Sequence, residues 1–132
     1  VRRAARATSR ASTCLLLASS LLACTLPGGP AVRGVEHVVV VWLQEPGNPL
    51  HRQTILEASE VLRTIPGVRA LKSGTVIPSE RAIVDSSFDV ALMVSFANQA
   101  DMDAYLTHPA HVQLVNETLK PLVAKIRVFD FQ

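Results

Sequence analysis

Val35-Glu36-His37-Val38-Val39-Val40-Val41-Trp42-Leu43 is the stretch whose reading decides the fold. It is rich in β-branched residues and apolar at alternate positions on both faces, which is the pattern of a strand covered on two sides. His37 shares one face with Val39, Val41 and Leu43 and so points into something buried, where a hydrogen-bonded core histidine is the default. Trp42 alternates to the other face and is expected to pack under a helix or against a partner.

The residues that follow supply the rest of the fold. Pro46-Gly47 turns the chain, and Asn48-Pro49 gives a helix N-cap followed by proline at the first helical position. The spacing predicts a helix from Pro49 to about Ile65, with Ile55, Ala58, Leu62 and Ile65 on one stripe. Pro66-Gly67 ends it. A second, more mixed strand is predicted over Val68–Ile77, and a polar loop over Pro78–Ser87. In a third strand, Phe88–Ala97, residues Phe88, Val90, Leu92, Val94 and Phe96 face one way, while Ala91, Met93, Ser95 and Ala97 face the other. Asn98 caps the next helix, with Asp101 three positions on. That helix reaches Leu106 and is interrupted at Thr107-His108-Pro109, because proline lacks a donor and disfavours α geometry before it. A second segment continues from Pro109 to Lys120-Pro121. The last strand, Ala124–Phe131, sets Ile126 and Val128 against Phe129 and Phe131.

The order β-α-β-β-α-β is the split βαβ arrangement of ferredoxin-like α+β domains, a four-stranded antiparallel sheet with both helices on one face. Yet the first, third and fourth strands are apolar on both faces. A monomer rarely exposes so large an apolar patch. The simplest cover is the same face of a second copy, which predicts a homodimer through the sheet face with a barrel-like interior.

Upstream of this domain, Arg2, Arg3, Arg6 and Arg10 precede the ten-residue apolar run Cys14–Ala23. The run is too short for a bilayer core of about 30 Å but suits the apolar region of a signal peptide. It ends in Leu21-Leu22-Ala23-Cys24, which resembles the lipobox of bacterial lipoproteins. Residues 1–23 are therefore expected to be a signal peptide and Cys24 the lipidated residue. Residues 24–34, rich in glycine and proline, read as a flexible tether, and 35–132 as one domain. The expectation is an exported domain, lipid-anchored to a bacterial membrane and facing the periplasm or exterior. Beyond position 23 the chain has nine basic and eleven acidic residues, a net charge of about −2. No basic patch argues for nucleic acid. The expected domain contains no cysteine, hence neither a disulfide nor thiolate chemistry.

Chemistry concentrates in Tyr105-Leu106-Thr107-His108-Pro109-Ala110-His111, which holds the only tyrosine and two of the four histidines. Phenol and imidazole are proton-moving groups near neutral pH. His111 is a candidate general base and Tyr105 a candidate donor to an enolate oxygen. His108 either caps the second helical segment or meets the cavity. His108 and His111 are joined by neither a cysteine nor an obvious carboxylate, so no metal site and no cofactor are expected. Asp130 falls on a face with Ile126 and Val128 and needs a partner there. Arg127 of another strand copy and a cavity histidine are both open.

Together, His37, Ile65-Pro66-Gly67, Ser87-Phe88-Asp89, the Tyr-x-x-His-Pro-x-His run and Val128-Phe129-Asp130-Phe131 resemble the stress-responsive dimeric α/β-barrel family, called Dabb. The resemblance covers essentially all of 35–132. It implies the ferredoxin-like dimer already reached from periodicity. Its members include plant stress proteins without an assigned reaction and a plant polyketide cyclase. By that resemblance Tyr105 and His111 would do acid–base work, with His37 and His108 near the same cavity. Three functions follow as expectations: a membrane-tethered module holding a small apolar ligand near Tyr105 and His111, a lyase or cyclase using that pair, and a non-catalytic structural or interaction dimer.

Overall fold

A computed structural model describes residues 34–132. The expected signal peptide, Cys24 and all of the tether except Gly34 lie outside the described residues. The elements run β1 (Val35–Leu43), α1 (Pro49–Ser59), a 3-10 stretch (Glu60–Thr64), β2 (Val68–Thr75), β3 (Val90–Phe96), α2 (Gln99–Thr107) and α3 (Pro109–Leu114). After α3 the helix widens to π spacing over Val115–Leu119, makes one more α turn (Lys120–Leu122) and enters β4 (Val123–Phe131). The sheet is antiparallel with order β2-β3-β1-β4, as the ferredoxin-like reading requires.

Register assigns the two faces. His37 lies opposite Val94 and Asp130, and Val39 opposite Leu92 and Val128. Val35, His37, Val41 and Leu43 join Val90, Leu92, Val94, Phe96 and Leu71 beneath the helices, all buried. Ile55, Leu62 and Ile65 come down from α1 and its 3-10 extension, and Met102, Tyr105, Leu114 and Leu119 from the second helical arm. Each fully buried Val, Leu or Ile contributes about 1.5–3 kcal/mol. The other face carries Val38, Val40 and Trp42 with Ala91 and Met93, none fully buried. Strand β4 is uncovered on both sides: Ile126 is 42% and Val128 48% exposed on one, Phe129 52% and Phe131 56% on the other.

Several boundaries differ from the periodicity. The first helix tightens to 3-10 geometry after Ser59 rather than running evenly to Ile65. Strand β2 stops at Thr75, leaving Ile77 82% exposed. Strand β3 begins at Val90, and Phe88 lies on the face away from the helices, its ring edge-on to Trp42 at 6.5 Å. Trp42 itself donates its indole N–H to Ser87 Oγ at 3.0 Å, and Lys125 Nζ sits 4.2 Å from its ring centroid.

Asp89 explains why β3 starts late. Its side chain is turned inward, accepting from the backbone N–H groups of Leu43 (2.9 Å) and Gly47 (2.7 Å) and from Arg52 (2.8 Å). Gly47 reaches this position in the left-handed region, φ +78°, which favours glycine. Burial pushes the Asp89 carboxyl up. The three donors outweigh that and hold it below the ordinary 3.8. One carboxylate thereby fixes the β1–α1 turn to the start of β3. Asp89→Asn should lower stability by about 3 kcal/mol, because it leaves Arg52 without its counter-charge and sets an amide against N–H donors. A denaturant midpoint at neutral pH measures this. The carboxylate's contribution is present above 3.8 and is lost as pH falls through the lowered folded value, so wild type and variant should converge in acid.

Candidate functional site

The site is built by the break between α2 and α3. Helix α2 starts on Asn98, whose Oδ1 accepts from the Asp101 N–H at 2.9 Å. This phase places Met102 and Tyr105 toward the sheet, both buried. At the far end Pro109 has no N–H to offer the Tyr105 carbonyl, and the His108 N–H takes it instead at 3.1 Å. His108 is extended (φ −65°, ψ 136°), as a residue before proline should be. Its Nδ1 accepts from the Ala110 N–H at 3.2 Å and caps α3.

That cap has a consequence two residues on. The Ala110 N–H would, in an unbroken helix, have bonded the Leu106 carbonyl. With Ala110 engaged by His108, His111 Nδ1 reaches the Leu106 carbonyl at 3.0 Å. A carbonyl oxygen only accepts, so Nδ1 carries the hydrogen. The neutral ring therefore presents its lone pair at Nε2. Burial favours this neutral form, lowering the His111 pKa. The Leu106 carbonyl opposes the shift, and the charge of His37 adds to it.

Tyr105, 2% exposed, is the centre of a ring cluster. The His111 ring centroid lies 4.6 Å away, Phe96 5.0 Å, and His37 5.8 Å in an edge-on arrangement. Burial raises the Tyr105 pKa well above the usual phenol value, so it keeps its proton at any physiological pH. His37, also buried, donates from Nδ1 to Asp130 Oδ1 at 2.6 Å across the β1–β4 pair. Both imidazoles beside the phenol are thus held through Nδ1.

Three of the four site residues predicted from sequence come together here: Tyr105, His111 and His37. His108 is instead drawn into capping. Of the two partners open to Asp130, the cavity histidine is the one it meets within this chain. The alternation of Ile126, Val128 and Asp130, combined with a β1–β4 pairing, would have pointed to it. The Leu106 carbonyl that orients His111 carries no side-chain signal. Among the described residues no three His, Cys, Asp or Glu side chains gather at metal-binding distance.

The space around the cluster is uneven. An enclosed cavity of about 20 Å³ touches Tyr105 and is lined chiefly by Val39, Ile55, Leu62, Leu92, Leu114 and Leu119. It has room for about one water. A wider cleft of about 400 Å³, bounded by Val35, Gln99, Met102, Asp130 and Phe131, opens on the Asp130 side. A groove of about 260 Å³ over Val38, Lys72, Gly74, Ala91 and Met93 belongs to the opposite sheet face and has no access to the histidines.

The fold agrees with what this chain is similar to. The sequence pattern of the Stress responsive A/B Barrel Domain matches residues 35–132. The chain belongs to that family. Among solved structures, this A/B barrel domain is similar to a Dabb family protein of Mesorhizobium loti with a ferredoxin-like fold. The two are 25% identical with TM-score 0.62, over 75% of this chain and 95% of that one. It is similar too to a dimeric protein of unknown function from Bacteroides fragilis, also ferredoxin-like, at 24% identity and TM-score 0.62, over 75% and 95% of the two chains. A third likeness is to a hydroxynitrile lyase of Passiflora edulis, at 21% identity and TM-score 0.65, over 76% and 93%. No curated protein matches.

The lowered His111 pKa predicts a pH dependence of stability for the A/B barrel domain. Between the folded value and the ordinary 6.5 the unfolded chain binds more protons, so stability falls as pH drops through this window. Thermal melts from pH 7.5 to pH 5 should show the fall, and His111→Gln should flatten it. An unchanged slope in the variant would remove His111 as its source.

Proposed function

We propose that this A/B barrel domain binds a small, largely apolar ligand between the sheet and the broken helix, with Tyr105, His111 and His37 meeting the ligand's polar group. One observation carries the reading. A buried phenol lies within ring contact of two imidazoles, each tied back through Nδ1, to the Leu106 carbonyl and to Asp130. That leaves Nε2 of each ring and the phenol hydroxyl for a ligand, and Tyr105 lines a cavity whose other walls are apolar apart from Ser59. Core packing alone has no use for three such groups in one place. Titration with a neutral aromatic ketone, followed by NMR, should move the His111 and His37 ring signals in wild type and bind at least about 10-fold more weakly to Tyr105→Phe. Binding indifferent to Tyr105 and His111 would place the ligand elsewhere.

A second reading is favoured by the proton states. His111 is kept neutral by burial and has a lone pair at Nε2, while Tyr105 keeps its proton. In this lyase or cyclase reading, Nε2 takes a proton from a carbon next to a carbonyl. The electron pair moves to the carbonyl oxygen, and the Tyr105 hydroxyl donates a hydrogen bond to it. The Passiflora protein of the same fold is a hydroxynitrile lyase by name, which supports testing this fold for acid–base lyase chemistry. Turnover of a poly-β-keto thioester, which has the acidic carbon next to a carbonyl that this step requires, should fall at least about 100-fold in both Tyr105→Phe and His111→Ala. Turnover unchanged by either substitution ends this reading.

Assembly and location complete the proposal. The apolar face over Val38, Val40, Trp42 and Met93 and the bare β4 support a homodimer through the sheet, as does the dimeric Bacteroides neighbour. Sedimentation at micromolar concentration should give twice the monomer mass. Leu21-Leu22-Ala23-Cys24 supports lipidation of Cys24 and a membrane-tethered, exported domain. Cys24→Ser should then release the protein from the membrane fraction, and unchanged fractionation would argue against the anchor.

A further inference from the structure

We propose that Leu114 is the gate through which a ligand reaches the Tyr105 cavity, by way of the groove between α1 and α3. The inference rests on the ligand-site reading above and adds the route, the gating residue and the charge of the ligand. Leu114 is the last residue of α3 and is 6% exposed. Its inner side lines the enclosed cavity beside Tyr105. Its outer side lines a groove of about 220 Å³ whose other walls include Ala58, Val61, Ala110 and Gln113. Leu114 is the helical residue that cavity and groove share; Leu92, which the cavity shares with the groove on the opposite sheet face, is fixed in β3 between two hydrogen-bonded strands.

Three observations single out this wall. First, the enclosed cavity holds about 20 Å³, while ligand sites run to about 300 Å³ or more, so binding requires a wall to move. Second, the helix turns to π spacing at Val115, directly after Leu114, and returns to α spacing after Leu119, the other leucine lining the cavity from this arm. Such π turns are rare and concentrate at functional sites. Third, the opposite wall is costlier to open. The cleft on the Asp130 side shares no lining residue with the cavity. Between them stands His37, held to Asp130 at 2.6 Å and in contact with the Tyr105 ring. A charge-assisted hydrogen bond is roughly twice as strong as a neutral one, whereas swinging Leu114 outward gives up only packing.

The groove also states what passes. Its rim carries the Glu117 carboxylate, which accepts from Gln113 Nε2 at 2.9 Å, and no cation lines it. A carboxylate at the mouth favours an uncharged ligand over an anion, most strongly at low salt. The ligand class is a small uncharged molecule, an apolar body with one carbonyl or hydroxyl, that enters polar end first toward Tyr105. Leu114 then closes on the body.

The test uses the full chain with labelled isoleucine and leucine methyls and acetophenone as the probe, with benzoate as its anionic counterpart. In wild type the Ile55 and Leu119 methyls should shift with acetophenone and not with benzoate. Leu114→Ala should speed association about 10-fold or more, and Ala58→Phe, which fills the outer groove, should slow it by a similar factor. Gln99→Phe, which narrows the Asp130-side cleft, should leave the rate unchanged. Circular dichroism checks each variant's fold, and Ala58→Phe decides the matter alone if Leu114→Ala does not fold. Methyl shifts with rates unaffected by Leu114→Ala and Ala58→Phe, or slowed only by Gln99→Phe, would overturn the gate and leave the ligand site standing. No shift at Ile55 or Leu119 in any form at millimolar probe would overturn the ligand-site reading itself.

Discussion

Pro109 cannot donate a hydrogen bond, and the geometry of the site follows from that single deficit. The missing N–H ends α2 and extends His108. His108 Nδ1 then engages the Ala110 N–H, which frees the Leu106 carbonyl for His111. Three local hydrogen bonds thus convert a helix break into a defined imidazole tautomer facing a buried phenol. A proline-free sequence would carry the helix straight through, satisfy Leu106 from Ala110, and leave the His111 ring with no fixed orientation.

The sheet sets the other half of the site. Pairing β1 with β4 puts His37 directly across from Asp130, so a histidine beneath the helices meets a carboxylate at the sheet's edge. The same edge is the least covered part of the domain, since the helices lie over β2, β3 and β1 while β4 shows apolar side chains on both faces. A fold of this size buries only somewhat over ~60% of its unfolded surface, and a partner over the bare face would add to that. At the other end of the sheet, Asp89 gathers two backbone N–H groups and Arg52, holding the β1–α1 turn in place.

Much of this was legible in the residues, for definite reasons. The alternation in Val35–Leu43 and Val90–Phe96 gave the two faces, and proline and glycine marked the breaks. The Tyr105–His111 run announced itself by composition. What remained hidden depended on long-range geometry. The His37–Asp130 contact spans 93 positions and exists only once β4 pairs with β1. Alternation puts Phe88 on the helix side because it assumes a strand begins where apolar residues do, whereas Asp89 turns inward to reach Leu43 and Gly47 and Phe88 packs on Trp42 instead. The π widening after Leu114 leaves no mark on a 3.6-residue pattern. The exposure of Ile126 and Val128 cannot be seen in β-branched residues whose sequence looks the same covered or bare. The capping role of His108 was among the readings open from sequence, and pre-proline geometry decided it.

The site is ordered before any ligand arrives: His111 is neutral, protonated at Nδ1 and presents Nε2 beside Tyr105. A long-range proton–nitrogen NMR spectrum of the histidine rings at pH 7 tests this directly. The expected His111 pattern has hydrogen on Nδ1 and an unprotonated Nε2, and it persists as pH falls through the ordinary 6.5. A His111 ring with hydrogen on Nε2, or one that averages rapidly between the two tautomers, would contradict it.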